Sequence, residues 1–329
     1  MRVLSVVGKY YYGCPRCIEP MYLAFTDPIK ELGHQVEHFD HAEMRGQSGL
    51  EVCGERFVEK VKTRGYDAVF YQTAGQDWMS REAIREAGRY APIVAWNSDD
   101  DWQWESYSRD LVPYFTFMVT TYIHIYEANR EQYSNLRLSQ WGCYVRFADF
   151  ACRKDLGFTF AGKVYGHRNQ ECRYLRKSAG LRAFGPGSGL VNLGLPYIHG
   201  AARIPLLYGR AVDFRKLNAI WNRSQVSYTP MGASINPAIL QIKSRTFEMG
   251  LSGTLMLCQQ SPNLEDYYEP YKEFVPFDAL EDCAEKAKYY LTNESARVRI
   301  AMAYHDRTKA EHLWQHRFGK LFHDIGLRT

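Results

Sequence analysis

Two kinds of hydrophobic patterning alternate along the chain. Short runs of consecutive apolar residues, such as Val3-Leu4-Ser5-Val6-Val7, predict strands buried on both faces. Between them, apolar residues return every three or four positions, the spacing of a helix with one buried side. Residues 2–8 form the first such run and end at a glycine. Residues 20–32 (Met21, Leu23, Ala24, Phe25, Ile29, Leu32) carry helical spacing and stop at Gly33. Gln35-Val36-Glu37-His38-Phe39 is the next strand. The unit is strand, helix, strand, which folds as a right-handed parallel crossover. It recurs as helix 57–64, strand 68–71, helix 80–87 with Ser80 as N-cap, strand 93–96, strand 117–120 and helical stretch 127–133. A doubly wound α/β domain is the architecture this alternation predicts.

After Lys154 the alternation starts again: strand 156–161, helix 170–178, strand 181–184, then a Gly/Pro-rich connection over 186–202. Helix 214–222, strand 226–228, helix 242–251, strand 254–258, helix 280–291 and a helical region over 294–325 complete it. The expected organisation is domain 1–152, domain 153–305 and a terminal helix over 306–329 that returns to the first domain. Two α/β domains facing a cleft favour an enzyme with two substrates over a simple binding module.

Composition sharpens this only a little. At 329 residues, 46% hydrophobic and 24% charged, the chain is neither disordered nor fibrous. No apolar stretch is long enough to span a membrane, and the opening apolar run is too short for a signal-peptide core, so a cytoplasmic protein is expected. In that compartment the eight cysteines stay reduced. Cys14-Pro15-Arg16-Cys17 has redox-motif spacing, but no second C-x-x-C accompanies it, and a structural loop is the plainer reading. The formal charge of +4 is too mild to demand nucleic acid.

The stretch Lys243-Ser244-Arg245-Thr246-Phe247-Glu248-Met249-Gly250-Leu251-Ser252-Gly253, followed by a hydrophobic strand, resembles the K-x-R-x-F-E-x-x-x-x-G signature of CgeB-like (spore-maturation-type) glycosyltransferases. Phe158-Thr159-Phe160-Ala161-Gly162 with Arg168 resembles the F-x-x-G-x(5)-R that opens that family's second domain. Trp96-Asn97-Ser98-Asp99-Asp100 resembles its W-x-x-D-D, and His312-Leu313-Trp314-Gln315-His316-Arg317 its closing H-x-x-x-H-R. The match is close over residues 155–320 and looser over 1–150. It implies the GT-B fold, two Rossmann-like domains facing a cleft, and transfer of a sugar from a nucleotide-diphosphate sugar, UDP-linked by preference. By the same resemblance Glu248 matches the carboxylate that holds the donor ribose. The position eight residues upstream, where retaining GT-B enzymes often carry a second Glu, is Leu240.

The residue chemistry suits those roles. Lys163, Arg168, Lys243 and Arg245 supply cations for a diphosphate, Gly162 allows close backbone approach, and Phe247 completes the donor-side set. Fixed cations and backbone amides can stabilise a diphosphate leaving group, so no metal and no resident cofactor is expected. Adjacent aspartates on an extended strand point to opposite faces, which argues against one shared ion at Asp99-Asp100-Asp101. Asp100 and Asp99 are instead the candidates to orient or deprotonate an acceptor hydroxyl. Gly8, Lys9, His124 and Trp102 are expected on the acceptor side, where Trp78, Trp102 and Trp104 are possible stacking platforms or plain core residues. His312 and His316 have the i, i+4 spacing of zinc ligands but no third ligand nearby, and are read as structural.

The acceptor stays open. Arg168, Arg173, Arg176, Lys177 and Arg182, with Arg203, Arg210, Arg215, Lys216 and Arg223, form a basic set that would suit a nucleic-acid acceptor such as a modified DNA base. A binding protein that keeps the fold without catalysis is the remaining alternative.

Overall fold

The computed structural model describes residues 1–10, 17–73, 75–195, 214–233 and 236–327. Cys14 and Arg16 of the C-x-x-C stretch, and Arg203 and Arg210 of the basic set, lie outside the described residues. The chain forms two compact units, Met1–Trp141 together with Trp314–Thr329, and Gly142–Leu313.

The first unit contains β1 (Arg2–Val6), β2 (Gln35–Phe39), β3 (Ala68–Gln72), β4 (Ile93–Asn97), β5 (Phe117–Thr120) and β6 (Leu136–Leu138). They lie in the order β2-β1-β3-β4-β5-β6, and every pairing is parallel. Val3 stands opposite Val36 on one side and Ala68 on the other, so β1 is an interior strand of the sheet. Leu4, Val6, Val69, Tyr71, Ile93 and Ala95 pack one sheet face against Phe57, Val61 and Ile84 of the covering helices.

Three helix expectations change. The helix expected at 57–64 lies in a longer helical span, His41–Arg64, that breaks at Gly49 (φ +83, ψ 175); Asp40 caps the part before the break by accepting from the Glu43 amide at 2.9 Å. The segment expected as one helix over 20–32 is two, Pro20–Ala24 and Asp27–Glu31. Thr26 leaves helical geometry between them, and Pro28 falls in the first turn of the second, where its missing N–H costs nothing. The long terminal helical region divides into Glu294–Glu311 and Trp314–Asp324, with His312 and Leu313 between. The last helix buries Trp314, Phe318, Leu321 and Phe322 within the first unit. The Phe318 ring lies 5.3 Å from Phe70 and 6.1 Å from Phe25, and Trp314 lies 5.7 Å from Trp96.

The second unit contains β7 (Leu156–Ala161), β8 (Arg182–Phe184), β9 (Ser224–Thr229), β10 (Leu255–Gln259) and β11 (Val275–Phe277). Their order is β11-β10-β9-β7-β8, again all parallel. Residues 142–152 group with this unit: Asn222 donates to the Phe147 carbonyl at 2.9 Å and accepts from the Asp149 amide at 3.0 Å. The helix expected over 242–251 contracts to Arg245–Glu248 and a 3₁₀ turn, Gly250–Ser252. Among the described residues no helix is long and apolar enough to cross a membrane.

Candidate functional site

In the second sheet the chain leaves β7 for β8 on one side and returns to β9 on the other. The two connections diverge at the carboxyl ends of β7 and β9, and such a divergence opens a crevice in which open α/β sheets bind ligands. Gly162 follows β7 directly, with φ +155. A methyl group there would sit 2.9 Å from Nη2 of Arg245, so the missing side chain is what lets the guanidinium come down on the strand end. The loops after β7 and β8 are joined by backbone: the Gly162 amide donates to the Phe184 carbonyl at 2.9 Å and the Val164 amide to Pro186 at 2.7 Å. Gly187, at φ +86, completes this join, because any side chain there would overlap the Val164 carbonyl oxygen.

Two guanidinium groups converge on the crevice. Arg168 stands in the first turn of helix His167–Ala179, is only 5% exposed, and donates from Nη2 to the Gly232 carbonyl at 3.2 Å. It thereby ties the β7 side to the loop after β9. Its Nε is buried with no hydrogen-bond partner among the described residues, and so is Nη1 of Arg245. Arg245 lies with Cζ 4.8 Å from the centroid of the Phe160 ring. Burial first, and then the positive charge of Arg168, push its pKa down to about 10, while Glu248 opposes them. Two buried like charges with unsatisfied N–H groups are costly unless an anion joins them.

Glu248 closes the same short helix. It is 7% exposed, and Oε2 accepts from the Ser244 hydroxyl at 3.2 Å. Burial pushes its carboxyl up to about 7, with Ser244 and Arg245 pulling the other way. Lys163 and Lys243 are partly buried in the loops that border the crevice.

Phe247, expected to touch the donor, instead belongs to the core. Its ring is buried against Tyr267 (5.4 Å), His312 (5.5 Å) and Tyr268 (5.8 Å), and it acts by fixing the helix that carries Arg245 and Glu248. His312 ends helix Glu294–Glu311, and its Nε2 meets the Tyr267 carbonyl at 2.9 Å. His316 stands on the next helix, in the other unit, so the i, i+4 spacing describes no shared face.

His167 was not singled out from the sequence. It opens the helix that carries Arg168, and its Nε2 is buried without a partner among the described residues. Burial lowers its pKa, Arg168 and Lys243 lower it further, and Glu171 opposes them. Its only sequence signal is its place beside Arg168.

In the first unit, Gly8 is buried at the carboxyl end of β1, and the Lys9 amide donates to Asp40 at 3.0 Å. The two aspartates after β4 separate. Asp100 is 1% exposed, and its Oδ1 accepts from Asn97 Nδ2 at 2.5 Å. Burial raises its pKa to about 6, offset by hydrogen bonds from Thr120, Ser108 and Asn97. Asp100 is thus a core carboxyl holding the β4 and β5 ends together, whereas Asp99 is exposed. Asp101 accepts from the Tyr122 hydroxyl at 3.0 Å. His124 is exposed, with its ring edge-on to Tyr122 at 5.7 Å.

The profile of the Glycosyl transferase-like family (Glyco_trans_1_2) matches residues 152–323, a little over half of the chain. The chain therefore belongs to that family. No curated protein sequence is significantly similar to it. Solved structures share its fold along nearly the whole length. A glycosyltransferase from Rickettsia africae ESF-5 superposes with a TM-score of 0.66 at 10% identity, covering 100% of this chain and 99% of that one. HepE of Anabaena, in complex with UDP and glucose, gives 0.60 at 9% identity, covering 99% of each. An alpha-glucosyltransferase in complex with UDP-glucose and DNA containing an abasic site gives 0.64 at 12% identity, covering 99% of each. The fold is GT-B, with two parallel-sheet Rossmann-like domains and a helical C-terminal segment.

Proposed function

We propose that the protein is a glycosyltransferase whose second unit binds a UDP-sugar, within the CgeB-like branch of the family. One observation supports this above the others: the guanidinium groups of Arg168 and Arg245 lie buried at the β7/β9 crevice with N–H groups that lack partners. A diphosphate supplies what they need, with Lys163, Lys243 and the amino end of helix His167–Ala179 around it. Glu248, three residues beyond Arg245 on the same short helix, accepts from the ribose hydroxyls. Solved structures of the same fold hold UDP and glucose or UDP-glucose, which favours a uridine donor.

In the transfer step the C1–O bond to the donor diphosphate breaks and an acceptor oxygen forms the new bond to C1. Charge builds on the departing diphosphate, where the fixed cations stabilise it without a metal. Asp99, the exposed aspartate after β4, takes the acceptor proton; Asp100 is enclosed and does not. The cytoplasm is the compartment that suits the thiols, since Cys53, Cys143, Cys172, Cys258 and Cys283 are buried outside any disulfide.

The test is calorimetric titration with UDP and UDP-glucose. Arg245→Ala should weaken both by about a hundredfold, since a charge-assisted bond to phosphate carries ~1.5–3 kcal/mol. Excess chelator should change nothing. Unchanged affinity in Arg245→Ala refutes the donor site.

A further inference from the structure

Three tryptophans of the first unit are candidate platforms, and the structure separates them. Trp104 is buried. Trp78 is partly buried, stacked on His41 at 4.6 Å and 9° between planes, with its Nε1 donating to the Thr73 carbonyl at 2.9 Å. Trp102 is different: it is 50% exposed, on the short helix Asp100–Gln103 that leaves the carboxyl end of β4.

Its surroundings are acidic. Asp99 is the N-cap of that helix, three positions before Trp102 and so on the same side of the turn. Asp101 is partly exposed and is positioned by Tyr122, whose hydroxyl comes from the carboxyl end of β5. Glu105 and Asp110 are exposed a turn or two further on, against one cation, Arg109, which pairs with Glu105. These groups stand at the carboxyl-end edge of the sheet, the edge on which open α/β sheets receive ligands.

We propose that the face made by Trp102, Asp99 and Asp101 binds a neutral saccharide, the acceptor of the transfer; this assignment rests on the glycosyltransferase reading above. A sugar ring has an apolar C–H face and a rim of hydroxyl donors. An exposed indole meets the first, and carboxylates accept from the second with charge-assisted bonds. A phosphodiester backbone would meet like charge instead, whereas nucleic-acid binding is driven by phosphate neutralisation. The acidic face therefore selects the saccharide over the nucleic acid that the basic residues of the second unit suggest.

Saturation-transfer NMR on the full chain tests this, with a panel of neutral methyl glycosides and disaccharides and, separately, a single-stranded DNA oligonucleotide. Wild type should transfer saturation to at least one neutral sugar. Trp102→Ala should weaken that binding by about tenfold, and Trp102→Phe should restore much of it. Asp99→Lys should weaken the sugar and strengthen DNA. The exposure of Trp102 makes these variants foldable, and their melting temperatures check it. UDP titrated into the same samples should bind Trp102→Ala as it binds wild type; failure of UDP to bind wild type would remove the donor reading and leave the sugar readout standing. Sugar signals unaffected by Trp102→Ala, no neutral sugar bound, or DNA binding that Trp102→Ala weakens would each overturn the proposal.

Discussion

Glu248 gives the sharpest prediction, because the structure makes it harmful to stability and useful to binding at once. Its carboxyl rises from an ordinary 4.5 to about 7, chiefly through burial. Between those values the folded chain holds a proton that the unfolded chain has released, so stability falls as pH rises through that window. At ~1.4 kcal/mol per pKa unit the full penalty is about 3 kcal/mol above neutrality, and it vanishes toward pH 4.5. Glu248→Gln keeps an oxygen for the Ser244 hydroxyl and removes the charge. At about pH 8 the variant should be the more stable, by up to ~3 kcal/mol, or roughly 6–12 °C in the melting transition of the second unit. Near pH 5 the gain should have shrunk to less than ~1 kcal/mol. The same variant should bind UDP-glucose about tenfold more weakly at pH 8, since a neutral amide accepts from ribose less strongly than a carboxylate. UDP-glucose is the better probe than UDP, as it lacks a terminal phosphate that titrates near neutrality. Calorimetry of melting and of binding at the two pH values reads both effects. A variant less stable than wild type at pH 8 would show that Glu248 is ionised and well compensated in the fold, and a gain undiminished at pH 5 would show that the carboxylate charge is not its source; either result refutes the buried, proton-holding Glu248.

Two further outcomes follow from the geometry. Gly162→Ala should cost about 1 kcal/mol of stability from its backbone conformation, and should reduce UDP-glucose affinity more than that, because the methyl displaces Arg245; equal affinity by titration would show the guanidinium is not a donor contact. Asp100→Ala should lower stability by about 1–3 kcal/mol by stranding the Asn97 amide, while Asp99→Asn should change stability by less than ~0.5 kcal/mol and lower transfer rate; denaturant melts and a turnover assay separate the pair.

The parts of the fold that were legible are those where local pattern and burial coincide. β1, β3, β4 and β5 are apolar runs because helices cover both faces of their sheet, β2 is an alternating edge strand, and the sequence pattern places each within a residue or two. β6 and β11 are three residues long, Leu136–Leu138 and Val275–Phe277, too short to show a period. The first two thirds of the span His41–Arg64 carry glycines at 46, 49 and 54 and few apolar residues, and the break at Gly49 interrupts any helical period. At the site, Gly162, Arg168, Arg245 and Glu248 were readable as motif residues, and the topology brings them to one crevice. What sequence does not report is which way a side chain turns. Phe247 and Asp100 sit beside the chemistry in sequence but face the core in space. His167 and Gly187 gain their roles only once separate loops meet.

The chain passes between its units twice, at Trp141-Gly142 and again at Leu313-Trp314. The second unit is thus one uninterrupted stretch that an engineer can excise with two cuts. The first cannot be obtained by truncation. Stopping before Trp314 would strip Phe25, Phe70 and Trp96 of their aromatic lid. A free-standing version would need a short splice from Trp141 to Trp314, for which the hydrogen bond from Arg317 to the Trp141 carbonyl, at 2.9 Å, already marks the two ends as neighbours.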